Sequence, residues 1–468
     1  MSHKRKVIGE GAYGCVHKPS IHCKTGLPHG FDYSKYVSKI MQTKEAESEL
    51  KEFIVIGSYD KENEFHLGAP RMCQPDLDDP NLYDDIAECK HIKATDVKKK
   101  PRDYKLLLLE YGGPDLKALC NNELNKYLKI NKSQKSDAFW LEVHRLIKGL
   151  QFFKKNEIVH NDIKPQNILF NTKTGELKYI DFGLMRKKEV IIQASKKNDN
   201  FLGIFHWSYP FDCGFMEKKL YQKYLSSSKT KREAYKTLLS NLIVINPDKK
   251  TNTLQLPIRH PDAFNILFSY INPEGVEPVS AKKYGYVQHF FDGFNELVDN
   301  NTYSTVLDKI TDSIDVFGLG FTLQYILNCF MRQKAISNDM FSRLSSFFHK
   351  MYDFNPNTRE TNIDILLNEY ETILLETGIL LRLKKDFKDN TVTNRLPVSK
   401  TTLSHMMRDD RASVSKSLSA SLEHIANLDP DADAFAIKSK SKDKGKNNYK
   451  SKSKSIKIKG KSKTRKRI

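Results

Sequence analysis

Within two dozen residues the chain carries His160-Asn161-Asp162-Ile163-Lys164-Pro165-Gln166-Asn167 and then Asp181-Phe182-Gly183. Asp162 can accept a proton from a hydroxyl as its oxygen attacks. Lys164, two residues on, can neutralise charge on a group in transfer. Asn167 and Asp181 offer hard oxygen ligands of the kind Mg²⁺ takes when it is shared with substrate phosphates. Gly183 is expected to permit the backbone turn that presents Asp181. A polar loop of coincidental spacing would not need all these residue types in this order. The chemistry they suit is movement of a phosphoryl group.

Two earlier segments could serve the same chemistry. Ile8-Gly9-Glu10-Gly11-Ala12-Tyr13-Gly14-Cys15-Val16 fits G-x-G-x-x-G-x-V, in which glycines let a strand-turn-strand backbone approach phosphates. Alone it also reads as an ordinary hairpin turn. Its β-like flanks argue against a dinucleotide fold, which would open a helix at this point. Val37-Ser38-Lys39-Ile40 then sets a lysine in an alternating apolar strand, where a buried ammonium needs an anion or a carboxylate. The charged stretch behind it offers Glu45, Glu47, Glu49 and Glu52. Glu49 is the expected partner, because Phe53, Val55 and Ile56 can pack that helix against the sheet while Glu49 faces Lys39.

The elements that must hold these groups follow from periodicity. Short β-like runs at 7–8, 15–16, 36–41 and 104–109, with one helical stretch from 43 to about 56, read as a small sheet with one helix. The polar, proline-bearing stretches 18–34 and 67–102 read as loops or insertions. From Ser136 the apolar period becomes helical, with Phe139, Val143, Leu146, Ile147, Leu150 and Phe153 on one face and Glu142, Arg145 and Lys148 off it. Two short β runs, 168–170 and 177–180, flank a hairpin-like turn beside the Asp162 cluster. Residues 216–311 mix lysine-rich helix-like segments with proline-containing connections. Helical periodicity returns from Ile314 to about Leu381.

The net charge of +20 is uneven. From Lys438 to the end there are fifteen Lys or Arg against the single acid Asp443, which leaves about +6 for everything before. This Lys/Ser tail cannot bury enough apolar surface to offset its chain entropy and is expected to be disordered. It is either a solvated charge run or a salt-sensitive contact to nucleic acid or another anionic surface. Seven cysteines without paired spacing read as free thiols in a reducing compartment. No secretory leader pattern opens the chain. The apolar segment 314–331 contains Asp315, Gln324 and Asn328 and reads as a buried core helix, with no integral membrane segment expected.

Taken in order, these motifs resemble those of the eukaryotic-type serine/threonine protein kinases, over residues 7 to about 380. The resemblance implies an α+β, two-lobed protein-kinase-like fold, with a small β-rich N-lobe and a larger helical C-lobe followed by the disordered basic tail. The N-lobe would span 1–111, the C-lobe 112–381 with an insertion at 216–311, an extension 382–437 and the tail 438–468. ATP and Mg²⁺ would be the cofactors. Residues 8–16, Lys39 and Glu49 would serve the nucleotide, Glu110 and Tyr111 would be the adenine-contacting hinge after Leu109, Asp162 and Lys164 would be catalytic, and Asn167 and Asp181 would hold metal.

The Asp-x-Lys-x-x-Asn form is similar to that of Ser/Thr kinases, so the implied substrates are protein Ser and Thr hydroxyls. Asp315-Val-Phe-Gly-Leu-Gly320 resembles the helix whose aspartate braces the catalytic loop, and Asn355-Pro-Asn-Thr-Arg359 a late Asp-Pro-x-x-Arg element. Gly203 to Phe211 aligns with Gly-Thr-x-x-Tyr-x-Ala-Pro-Glu. Three departures stand out. Asn161 replaces the arginine that receives an activation-loop phosphate, Ile204 replaces a threonine, and Phe211 replaces a glutamate that would pair with Arg359, with Asp212 next along as a shorter substitute. They motivate an alternative, a pseudokinase that scaffolds or binds nucleotide. The expected location is intracellular, cytoplasmic or nuclear. The divergent activation segment, insertions and tail are similar in style to kinases of large DNA viruses, which would add the virion or host cell.

Overall fold

The computed structural model describes residues 5–11, 14–25, 27–28, 30–198, 207–244, 261–271 and 279–388. The tail 438–468, the extension beyond Lys388, and Ala12, Tyr13 and Ile204 lie outside them. The N-terminal part is a five-stranded antiparallel sheet: β1 (Lys6–Gly11), β2 (Gly14–Lys18), β3 (Tyr36–Gln42), β4 (Arg71–Cys73) and β5 (Tyr104–Glu110), in the order β1-β2-β3-β5-β4. The helix α1 (Thr43–Tyr59) follows β3 directly and packs on β3 and β5 through Ala46, Phe53 and Ile56. A small sheet-rich N-lobe and a larger helical C-lobe are therefore present, as the sequence pattern predicts.

The stretch 67–102 is not simply a loop. It holds β4 and two six-residue helices, α2 (Leu82–Ala87) and α3 (Ala94–Lys99), whose Leu82, Ile86 and Val97 enter the core beneath β2 and β5. Helices this short do not complete two turns, so they leave no periodic signal. The cysteines also depart from expectation. Cys15 meets Cys89 and Cys23 meets Cys73 in disulfide pairs, with Cα–Cα separations of 6.0 and 5.8 Å, while Cys120, Cys213 and Cys329 remain free thiols. The partners are 74 and 50 residues apart in sequence, a spacing that only the fold brings together.

In the helical lobe, helix Lys132–Lys155 buries the predicted apolar face, and also residues that the pattern sets off it. Glu142 and Arg145 are 1% and 3% exposed. Arg145 Nε donates to Glu142 Oε1 at 2.5 Å and its Nη1 donates to the Glu64 carbonyl, while Glu142 accepts from Leu177 N–H. A satisfied ion pair can be buried where a lone charge cannot. Helix Tyr303–Arg332 begins eleven residues before the expected Ile314, capped by Thr302 Oγ1 on Thr305 N–H. It is the one described helix long and apolar enough to cross a membrane, but 89% of its most apolar window is buried inside the fold, which makes it a core helix. The insertion resolves into helices Lys218–Leu225, Lys229–Val244, Pro261–Ile271 and Val279–Asn300, and helices Asn338–Met351 and Ile363–Glu376 follow the core helix.

The turn after α1 fastens the two lobes. Asp60 accepts from the Glu64 and Phe65 N–H groups, each at 2.8 Å, and meets His66 Nδ1 at 2.7 Å. The Phe65 carbonyl in turn accepts from Tyr179 N–H in the 168–179 hairpin. The end of α1 is thus fixed to the lobe that carries Asp162 and Asp181.

Candidate active site

Lys39 lies on the central strand β3, and its ammonium reaches Glu49 Oε2 at 2.5 Å, one and a half turns into α1. Glu52, one turn further along the same helix, stands beside Asp181. Burial, then the Glu49 and Asp181 carboxylates, lift its carboxyl above the usual range. Glu52 appears in the sequence only as one of four candidate partners for Lys39. Its place beside Asp181 follows from its spacing of three from Glu49, which puts both on one helix face.

The glycine-rich segment is the β1–β2 hairpin. A Cβ on Gly14 would fall 2.4 Å from the Ile40 carbonyl, so the close approach that Gly14 serves is to β3. Gly9 and Gly11 leave ordinary space above the hairpin. Strand alternation places Val16 on one face of β2 and Cys15 and His17 on the other, where both are buried. The Cys15 side chain therefore belongs to the N-lobe core, and Glu10 is turned outward, accepting from Lys90 N–H at 2.7 Å. Ile8 remains exposed. Glu110 closes β5 opposite Tyr36, and Tyr111 N–H donates to the Lys35 carbonyl. The Lys18 ammonium sits 3.0 Å from the centre of the Tyr111 ring, a contact the sequence pattern did not single out. Burial pushes the Tyr111 hydroxyl up to about 12. Gly113 has φ +100°, and a side chain there would strike the Phe170 carbonyl, so the hinge passes hard against the 168–179 hairpin.

In the 160–167 loop, Lys164 Nζ donates to both Asp162 oxygens at 2.9 and 2.8 Å. Asn167 Nδ2 donates to Asp162 Oδ2 at 2.7 Å and to its carbonyl at 2.9 Å, which turns Asn167 Oδ1 toward other partners. Burial raises the Asp162 carboxyl above its usual range, Lys164 opposes that, and the Asp181 charge adds to it. The two carboxylates are close enough to feel each other. A divalent cation relieves such repulsion, and two carboxylates with an amide oxygen are a hard-oxygen set that suits Mg²⁺.

Asp181 itself has φ +64°, as Asn161 has φ +62°. Gly183 is not left-handed. The turn that presents the carboxylate is made by Asp181, a sparsely populated conformation for a residue with a Cβ. A Cβ at Gly183 would make only ordinary contact with Asp181 Oδ1 and Glu52 Oε2, at 3.4 and 3.5 Å. Phe182 is buried, with its ring 6.2 Å from Phe53 of α1 and 4.9 Å from His160. Burial pushes the His160 imidazole down, which keeps it neutral in this apolar column. At its foot Asp315 accepts from the His160 and Asn161 N–H groups at 2.7 and 3.0 Å. Burial lifts the Asp315 carboxyl to about 7 against those two donors. A continuous stack thus runs from α1 through Phe182 and His160 to the core helix.

Downstream, Arg359 Nη1 donates to Asp212 at 3.2 and 2.9 Å, both side chains 1% exposed. The adjacent Asp212 therefore makes the pair, and Phe211 packs between Phe290 and Phe354. From the insertion, Tyr270 stacks on Trp207 at 4.8 Å and accepts from Gln166 Nε2 at 3.1 Å. The 203–206 part of the activation segment lies outside the described residues.

Comparison with known proteins agrees with this arrangement. Residues 89–210 match the family described as protein kinase domain, a segment that includes Asp162, Lys164, Asn167 and Asp181 and begins after Lys39 and Glu49. The mitogen-activated protein kinase kinase kinase 5 proteins of Homo sapiens and Mus musculus are each 29% identical over 112 residues, 23% of this chain and 8% of theirs. Cyclin-dependent kinase 17 of Caenorhabditis elegans is 36% identical over 84 residues, 18% of this chain and 11% of its own length. The chain thus aligns with only a small part of each of these relatives. In this matched segment and in the two-lobed fold around it, the chain is similar to the protein kinase domain family.

Proposed function

We propose that the protein transfers the γ-phosphoryl group of ATP to serine or threonine hydroxyls of protein substrates. The observation that carries this reading is the convergence of Asp162, Lys164 and Asn167 in one hydrogen-bonded group beside Asp181, together with the pairing of Lys39 on β3 with Glu49 on α1. ATP supplies the phosphoryl group and Mg²⁺ offsets its charge. Lys39, held by Glu49, would take the nucleotide phosphates, and Asn167 and Asp181 would hold the metal. Asp162 orients the acceptor hydroxyl and takes its proton, while Lys164 both steadies Asp162 and faces the charge that develops. Catalysis of this kind is positioning and charge stabilisation, without a covalent protein intermediate.

Lys164 at this spacing supports Ser/Thr over Tyr as acceptor. The test is a purified-protein assay with γ-labelled ATP, Mg²⁺ and basic and acidic protein substrates, followed by phosphoamino-acid analysis. Label in phosphoserine or phosphothreonine is the expected result. Label in phosphotyrosine alone overturns the acceptor assignment. Nucleotide binding without transfer supports the scaffold reading that the departures at Asn161, Ile204 and Phe211 motivate.

A further inference from the structure

Cys15 and His17 alternate onto one face of β2, where both are buried, at 2% and 0% exposure. Cys89, just beyond α2, comes up against that face, and one donor atom from each of the three lies within 4.8 Å of the others. Among the described residues this is a group of sulfur and imidazole donors that the fold assembles apart from the Asp162 and Asp181 site. His17 Nε2 stands 3.8 Å from Cys89 Sγ and 3.1 Å from the Asp85 carbonyl, and its Nδ1 is buried without a hydrogen-bond partner. The Nε2 nitrogen that meets Cys89 Sγ is thus also the one on the Asp85 carbonyl, and the buried Nδ1 left over is costly unless something electrophilic meets it. The second cysteine pair makes the contrast. Beside Cys23 and Cys73, His22 is half exposed and turned to Asp79 at 3.2 Å, so that pair lacks a third donor.

We propose that, when Cys15 and Cys89 are reduced, these two sulfurs and His17 bind a thiophilic divalent cation, Zn²⁺ in the first instance. Two thiols lose their protons to the solvent and two sulfur–metal bonds form, with no change of oxidation state. Thiolate and neutral imidazole are the donors Zn²⁺ selects over Mg²⁺. Burial pushes the His17 imidazole down, so it is neutral and ready to ligate. The Asp85 carbonyl is placed to fix the tautomer through the other ring nitrogen, the arrangement common around ligating histidines. Three protein donors leave one position for a water. The disulfide of these same sulfurs is the alternative, oxidised state of the pair, and the two states exclude each other. Bound metal would tie the 74–103 segment to β2, the strand behind the glycine-rich turn.

The experiment uses the full chain, reduced with a phosphine, stripped by a chelator and titrated with Co²⁺ and then Zn²⁺. We expect one Co²⁺ per chain with tetrahedral d–d bands and thiolate-to-cobalt charge-transfer absorption, displaced by Zn²⁺. Cys89→Ser should abolish the charge-transfer band, His17→Ala should weaken binding roughly tenfold or more, and a Cys23→Ser, Cys73→Ser double variant should retain it. Zn²⁺ should also protect Cys15 and Cys89 of the wild-type chain from alkylation, a readout that needs no variant to fold. A reduced wild-type chain that gives no thiolate band and no Zn²⁺ protection overturns the site. So does a band that survives Cys89→Ser and disappears in the Cys23, Cys73 double variant.

Discussion

Asn161 Nδ2 donates to the Leu184 carbonyl across 3.0 Å, so the residue beside Asp162 holds the activation segment one residue past Gly183. Arg186 adds a second tie, its Nη1 donating to the Gly183 and Met185 carbonyls at 3.2 and 2.7 Å. Where a family arginine would wait for a phosphate, this chain has a neutral amide already bonded to backbone.

Activity is therefore expected to be independent of activation-segment phosphorylation. Protein treated with phosphatase should keep its transfer rate. Asn161→Ala should lower that rate roughly fivefold, in proportion to a net hydrogen-bond contribution of ~1 kcal/mol. A dephosphorylated wild-type protein that loses most of its activity contradicts this account of the segment.

The Asp212–Arg359 pair is fully buried, and removing one partner strands the other charge. Asp212→Ala should cost ~3–5 kcal/mol in denaturant unfolding. Asp212→Glu, which preserves the charge, should cost less. Equal stabilities for wild type and Asp212→Ala would show that Arg359 finds compensation elsewhere.

These two ties illustrate what the sequence makes legible. Lys39, Glu49, Asp162, Lys164, Asn167 and Asp181 could be named because their chemistry and their order along the chain are both local. Strands β1, β2, β3 and β5 and the helices around 43–56, from Ser136 and from Ile314 could be placed because their apolar periods are long enough to read, whereas β4 and the helices of the 216–311 stretch could not. Residues whose roles depend on distant partners could not be read. Glu142 and Arg145 look like a solvated helix face until each is seen to neutralise the other, and Cys15 and Cys89 are joined only by the docking of α2. The short helices α2 and α3 leave no period, and the left-handed turn at Asp181 has no glycine to announce it.

The turn after α1 should make stability depend on pH. Burial would raise the Asp60 carboxyl, but bonding to His66 and to the Phe65 and Glu64 N–H groups outweighs it and holds the group below its ordinary 3.8. A carboxyl depressed in the folded state stabilises above its unfolded pKa, and that stability is lost as pH falls through the folded value. Wild-type unfolding free energy should thus decline on acidification below pH 3.8. Asp60→Asn should flatten that decline and cost ~1.5–3 kcal/mol at neutral pH. Superimposable pH–stability curves would remove Asp60 from this role.

Tyr270 brings the insertion against the 160–167 loop through Gln166 and stacks on Trp207. Tyr270→Ala is expected to raise KM for protein substrate roughly tenfold, in the range that the loss of apolar packing in a recognition site produces, with KM for ATP unchanged. If both constants stay at wild-type values, the insertion does not shape recognition.

The central claim, that Asp162 serves phosphoryl transfer within an assembled site, is tested most directly by measuring transfer and nucleotide affinity together in wild type and Asp162→Asn. The account predicts that the variant binds Mg²⁺-ATP within a few-fold of wild type while its transfer rate falls by ~10²–10⁴-fold, the loss expected for a group that handles the acceptor proton. Transfer by Asp162→Asn at the wild-type rate, in protein free of contaminating kinase, would contradict it.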